Sequence, residues 1–116
     1  MAVVSGAQLA QVKLTSTTAV TVFTASLKTE ITGIFAANLY GGTNYFYVYH
    51  DDNGTTYDDT SVILHNQSIA QYSNYNYQAS SPGSGITVWR GGSIGAKITN
   101  ATNYVTLTIY GITEQR

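Results

Sequence analysis

The sequence predicts an all-β protein: an antiparallel, jelly-roll-like β-sandwich of about eight short strands in a single domain. Short segments alternate between apolar and polar residues, which is the period of a half-buried strand. Turn residues separate these segments about every 8 to 12 positions, as is typical of sandwiches and barrels. Thr, Ser, Asn and Tyr also supply the polarity in place of charged residues, which are only 9% of the 116 residues, against about 25% in an average protein.

Two strands are predicted near the N-terminus. Residues 1–7 are predicted as an N-terminal arm, and the alternating residues 8–15 follow as the first strand. Residues 19–24 form the second strand, whose alternation places Val22 and Phe23 on opposite faces.

The next two predicted strands are the most apolar. Residues 30–39 form an almost uninterrupted apolar run, which predicts a central strand that is buried on both faces. Gly33 within this run indicates a bulge or the close approach of another backbone. After a predicted turn at 41–43, residues 44–51 alternate tyrosines with Phe46 and other core residues.

The middle of the chain contains turn signals. Asn53-Gly54 is typical of a tight hairpin, so the chain is predicted to double back into residues 55–57, and residues 60–64 form another short strand. Residues 69–78 are rich in Tyr, Ser and Asn, which predicts an edge strand or an ordered loop. The segment 79–85 contains the single proline and is predicted to be a loop.

Three strands complete the predicted sandwich. Residues 86–90 and 94–99 form short strands, and residues 104–113 show the clearest alternation in the chain. The face of this last strand that is predicted to lie in the core carries Val105, Leu107 and Ile109. At this length one core is expected, because two separate cores would each be marginal.

Charge and composition exclude several functions. The net charge is −1, and the five basic residues are scattered, so no nucleic-acid partner is expected. No window approaches the roughly 20 apolar residues of a membrane span, and residues 1–9 do not resemble a secretory signal. Cysteine is absent, which excludes disulfides and thiolate chemistry.

Acidic residues gather in one place, which raises the possibility of a metal site. Calcium prefers carboxylate oxygens, but the regular ligand spacing of a calcium loop is missing, and turns favour Asp and Asn for local reasons. These residues are therefore weak metal candidates, and no cofactor is expected: Asp51, Asp52, Asp58 and Asp59.

Catalytic residues are not expected. His50 or His65 could act as a base toward Ser61 or Ser68, but no sharp nucleophile turn of the Gly-x-Ser-x-Gly type accompanies them. We therefore predict that the protein is not an enzyme.

The ten tyrosines are the most informative residues for function. They are too many for one small core, because each buried hydroxyl needs a hydrogen-bond partner. Three uses remain open: contact with another protein, cross-strand pairs on exposed faces, or stacking on sugars as in a carbohydrate-binding module. The interface candidates are Tyr45, Tyr47, Tyr49, Tyr72, Tyr75, Tyr77, Trp89, Tyr104 and Tyr110.

The order of three segments resembles a group of small tailed-bacteriophage virion proteins. They are a threonine-rich start at 14–24, the segment 28–34 that leads into the apolar strand, and a closing strand at 105–114 that ends in Gly-Ile-Thr-Glu. Such proteins often carry a Pro-Ala-Gly loop where this chain has Ala25-Ser26-Leu27, and the stretch 72–77 is richer in aromatics here.

The resemblance implies a jelly-roll-like sandwich that is part of a virus particle and is made in the host cytoplasm. A capsid cement or decoration protein, acting as a homotrimer on the head shell, is the first expectation. A neck, tail or fibre component, or a carbohydrate-binding module that contacts host glycans, is the alternative.

Overall fold

A computed structural model describes residues 3–39, 42–81, 83–100 and 104–115. Within these ranges the chain forms nine strands, all paired antiparallel, in two packed sheets, which confirms the predicted all-β sandwich. The strands are β1 (Val3–Leu14), β2 (Val20–Thr24), β3 (Thr29–Asn38), β4 (Asn44–Asp51), β5 (Val62–Ile69), β6 (Ser73–Gln78), β7 (Ile86–Val88), β8 (Ser93–Ile98) and β9 (Val105–Gln115). Nowhere in the described ranges is there a helix long and apolar enough to cross a membrane.

The strand order is that of a jelly roll with one extra strand. Sheet A has the order β1-β9-β3-β6, with β7 also paired to β3, and sheet B has the order β2-β8-β4-β5. When the short β7 is set aside, the first four strands pair with the last four in reverse order: β1 with β9, β2 with β8, β3 with β6 and β4 with β5. This reversed pairing follows from a long hairpin that folds over into two sheets.

The core lies between the two sheets. The predicted core face of β9 is confirmed, because Val105, Leu107 and Ile109 have no exposed surface. Phe46 and Val48 of β4 are also fully buried and contribute to the same cluster from sheet B. Burial of each such side chain stabilises the fold by roughly 1.5–3 kcal/mol.

A bulge in β3 corrects the predicted faces of that strand. The register with β9 shifts between Ile31 and Gly33, so Ile31 and Ile34 both point into the core although they are three residues apart. The opposite face is partly exposed rather than buried, and it carries Phe35. Gly33 suits this position, because a Cβ there would lie 2.8 Å from Cε1 of Phe35 and the ring would have to move.

A second bulge affects β2. The register with β8 shifts between Thr21 and Phe23, and as a result Val22 and Phe23 both pack against the core. The prediction that they lie on opposite faces is wrong, because simple alternation does not survive an inserted residue.

Strands β6 and β7 share one edge of β3. β6 pairs with residues 33–38 of β3 and β7 with residues 29–31, which confirms the predicted edge position of β6. The loop between them is tied to β3 by Glu30, whose carboxylate accepts hydrogen bonds from the backbone N–H groups of Gly83 and Gly85. This loop agrees with the prediction for 79–85.

Several boundaries differ from the prediction. Residues 3–7 belong to β1 rather than to an arm, and β5 runs from Val62 to Ile69 instead of ending at residue 64. Residues 55–57 are not a strand, because neither Asn53 nor Gly54 has the positive φ that a tight hairpin requires. Met1, Ala2, Gly41 and Pro82 lie outside the described residues.

Candidate functional site

The acidic residues organise a loop rather than gather into a metal site. Asp51 accepts hydrogen bonds from the backbone N–H groups of Asn53 and Thr56, and Asp58 accepts two from Thr60. In the part of the chain that the structure describes, no three or more potential metal ligands lie close enough together to hold a metal ion. Asp52 and Asp59 are therefore not part of such a group either.

Hydrogen bonds determine the ionisation of Asp58. The hydroxyl of Thr60 and then its backbone N–H lower the pKa of this carboxyl below the ordinary value of 3.8, because both bonds favour the charged form. A fixed negative charge at Asp58 therefore stabilises the turn that carries it.

The loop at residues 52–61 folds across the outer face of sheet B. Tyr57 lies on Gly95 of β8, and its hydroxyl bonds to the hydroxyls of Thr21 (2.8 Å) and Ser93 (2.7 Å). Because this loop covers Tyr49, that side chain is only 4% exposed.

The two histidines and two serines that were considered for catalysis each contact a different part of the structure. The Nε2 atom of His50 is buried without a hydrogen-bond partner and lies 3.8 Å from a carboxylate oxygen of Asp52. Ser61 donates a hydrogen bond to the backbone carbonyl of Thr56. His65 packs edge-on against Tyr47 with ring centroids 5.1 Å apart, and Ser68 is the cross-strand partner of Tyr45.

The tyrosines of β4 and β6 differ in accessibility. Tyr45 is exposed, and Tyr47 is half-buried beneath the ammonium group of Lys97, 4.6 Å from its ring centroid. Tyr75 and Tyr77 pack against the core from the inner side of β6. Of these four candidates, Tyr45 therefore offers the most free surface to a partner.

Two more candidates lie on the outer face of sheet A. The ammonium group of Lys13 lies 4.1 Å from the ring centroid of Tyr104. Tyr110 packs edge-on against Phe35 at 5.5 Å and lines a shallow groove with Gly33 and Thr108. These contacts are the cross-strand pairs expected on a solvated face.

One end of the sandwich presents an apolar pair that we call the tip, formed by Leu39 and Tyr72. Asn38 and Ser73 are the last partners in the register of β3 and β6, and Leu39 and Tyr72 are the next residues beyond that pair. Leu39 is 57% exposed and Tyr72 is 72% exposed. Sequence reasoning selected Tyr72 but missed Leu39, which was counted as the end of a buried strand.

Two structural features fix the conformation of the tip. Tyr72 has a φ of +54°, a left-handed conformation that costs a bulky residue of the order of 1–3 kcal/mol. Asn38 is fully buried, and its side-chain amide donates to the carbonyls of Gly42, Ile69 and Ala70. This amide joins the β3–β4 and β5–β6 connections, so it holds the two tip residues in place.

The other end of β3 has a polar cleft with an exposed indole. We call it the Trp89 cleft, and it has a volume of about 510 Å³. Trp89 is 52% exposed, and Nζ of Lys28 lies 4.6 Å from its ring centroid. The residues that line the cleft are Leu27, Lys28, Trp89, Arg90 and Glu114.

No model of a known protein family matches the chain, and no curated protein matches it. The candidate sites are therefore judged by their geometry.

Geometry separates the tip from the cleft in both position and chemistry. The ten residues of β3 span roughly 33 Å at about 3.3 Å per residue, with Lys28 just before the strand and Leu39 just after it. The tip is apolar, which suits contact with another protein. The Trp89 cleft combines one indole with three charged side chains, which suits a polar ligand.

Proposed function

We propose that the protein is a non-enzymatic structural protein of a bacteriophage virion, most simply a capsid decoration protein that stabilises the head shell. The observation that carries this proposal is the tip: Leu39 and Tyr72 are exposed apolar side chains on a strained backbone that Asn38 holds in place. Strain of this kind persists where a function requires the conformation.

The strand order and the composition support the proposal. Jelly rolls are common in viral capsid proteins. A chain with 9% charged residues can bury much of its surface against neighbours without a large desolvation cost for ions. We propose that the protein acts as a trimer, with the three tips directed at capsid subunits, because particle proteins assemble through symmetric contacts.

A capsid-binding experiment tests the proposal. Purified protein is mixed with expanded capsids of the phage that carries its gene, and co-sedimentation and the capsid melting temperature are measured. The wild-type protein should sediment as a trimer, bind the capsids and raise their melting temperature. Leu39→Ser and Tyr72→Ser should lose binding, because each removes apolar area from the centre of the contact.

The control is Trp89→Ala, which removes an aromatic side chain that is about half exposed at the opposite end, and this variant should bind like the wild type. A monomer that leaves the capsid melting temperature unchanged contradicts the proposal, and so does capsid binding that survives both tip variants.

The same tip could serve a neck, tail or fibre protein. A low-resolution density map of the intact particle distinguishes these locations. The elongated molecule is 48 Å in its longest dimension and can be placed in such a map on the head shell or on the tail. Density on the head shell supports the decoration role.

A further inference from the structure

The Trp89 cleft is a preformed site. Its two loops are joined by hydrogen bonds from the backbone N–H of Ala25 to the carbonyl of Gly92 and from the N–H of Gly91 to the carbonyl of Ala25, both 2.9 Å long. The end of β9 is attached by a bond from the N–H of Glu114 to the carbonyl of Lys28. A ligand would therefore bind without the entropy cost of ordering these segments.

The charged groups of the cleft are available to a ligand. Within the described residues, neither Lys28 nor Arg90 forms an ion pair with Glu114 or with any other carboxylate. The ammonium of Lys28 instead lies over the indole ring, 4.6 Å from its centroid, and the Trp89 side chain is half exposed. The cleft carries one net positive charge, with two cationic donor side chains, Lys28 and Arg90, and one carboxylate acceptor, Glu114.

We propose that the Trp89 cleft binds a carboxylated saccharide, such as a uronic acid unit of a surface polysaccharide. The indole provides a flat apolar surface for the C–H face of the sugar ring. The guanidinium of Arg90 suits the sugar carboxylate, because its planar fork matches both oxygens. Sugar hydroxyls donate to the carboxylate of Glu114 and accept from the ammonium of Lys28.

Size supports a sugar of one or two units. The volume of about 510 Å³ lies within the roughly 300–1,000 Å³ that is usual for small-molecule sites. An acidic peptide could meet the same cations, but it would leave the exposed indole without a flat ring partner. The observations therefore favour the saccharide.

The experiment uses the fluorescence of Trp89, which is the only tryptophan in the chain and so reports on this cleft alone. The intact protein is titrated with digalacturonate, with a neutral galactose disaccharide and with a glutamate tetrapeptide. We expect digalacturonate to give a saturable change in the emission of Trp89. The neutral disaccharide and the peptide should bind at least tenfold more weakly than digalacturonate.

Two variants locate the binding. Arg90→Gln should weaken digalacturonate binding roughly tenfold, as expected for the loss of one charge-assisted pair, while the emission of Trp89 remains to report it. Lys97→Gln removes a positive charge on the outer face of sheet B and should leave the titration unchanged. Circular dichroism checks that both variants are folded.

The proposal is overturned if digalacturonate gives no saturable change, if the neutral disaccharide binds equally well, or if the peptide binds as tightly as the sugar. It is also overturned if Lys97→Gln weakens binding as much as Arg90→Gln. The tip variants Leu39→Ser and Tyr72→Ser should titrate like the wild type, so failure of capsid binding and failure of sugar binding are separate results.

Discussion

The ring of Tyr57 rests on the backbone of Gly95, so closely that a Cβ at Gly95 would lie 2.6 Å from Cζ of the ring. The loop at 52–61 depends on this contact, because it brings the tyrosine hydroxyl to Thr21 and Ser93. A glycine in the middle of β8 thus lets a distant loop cover the outer face of sheet B.

Gly95→Ala should destabilise the protein by about 1–3 kcal/mol, because the added methyl group displaces the Tyr57 ring and breaks its hydrogen bonds. Urea unfolding followed by circular dichroism measures the loss. In a Tyr57→Ala background the same substitution should cost less than about 0.5 kcal/mol. Equal costs in both backgrounds would show that the ring does not set the requirement for glycine.

Val105→Asp should abolish soluble folding, because a carboxylate in the centre of the core has no partner and costs several kcal/mol to bury. Thr106→Asp, one residue away on the outer face of the same strand, should remain soluble and folded. Expression level and circular dichroism of the two variants provide the comparison. A fully folded Val105→Asp protein would contradict the two-sheet core.

Asn38→Ala should cost about 2–3 kcal/mol, because the carbonyls of Gly42, Ile69 and Ala70 lose a shared donor. The control is Asn74→Ala, an exposed asparagine on β6, which should change the free energy of unfolding by less than about 0.5 kcal/mol. Thermal or urea denaturation distinguishes them. Similar values for the two variants would rule out the bridging role of Asn38.

Tyr72→Asn should leave stability unchanged or raise it by up to about 1 kcal/mol, because asparagine tolerates the left-handed conformation better than tyrosine does. Tyr75→Asn, on the inner side of the adjoining strand β6, should destabilise the fold by about 2 kcal/mol or more through lost packing against Phe46. If Tyr72→Asn proved the more destabilising of the two, Tyr72 would be contributing to stability, and its left-handed backbone would not indicate a function.

Thr60→Val should raise the pKa of Asp58 toward 3.8, because the hydroxyl of Thr60 is the strongest of the groups that lower it. The lowered pKa of the folded state means that Asp58 stabilises the fold at neutral pH and that this contribution is lost as the pH falls through the folded-state pKa. NMR titration of the side-chain carboxyl carbons measures the shift. Thr55→Val is the control and should leave the pKa of Asp58 unchanged.

Alternation predicted the faces of β9 correctly and failed in β2 and β3, both of which contain a bulge. In β9 the residues Val105, Leu107 and Ile109 all face the core as predicted, because no residue is inserted between them. In β3 and β2 the register shifts near Gly33 and before Phe23. An inserted residue reverses the side of every residue beyond it. Gly33 indicated the bulge in β3, but no glycine marks the bulge in β2.

The candidate sites were less predictable than the fold. Tyr72 and Trp89 were selected as aromatic residues in polar surroundings, but alternation describes the faces of a sheet and not its ends. Leu39 reads as the last residue of an apolar strand, yet it projects from the end of β3. The Gly41-Gly42 pair, which begins two residues after Leu39, was the available sign that the strand stops nearby.

The position of β9 affects how the protein can be made. It lies between β1 and β3 in sheet A, yet the ribosome synthesises it after the other eight strands. Until β9 emerges, β1 has no neighbour in the sheet and one edge of β3 has no hydrogen-bonded partner. The nascent chain must therefore carry an incomplete sheet A, and its exposed edges are the point at which chaperones or premature aggregation would compete with folding.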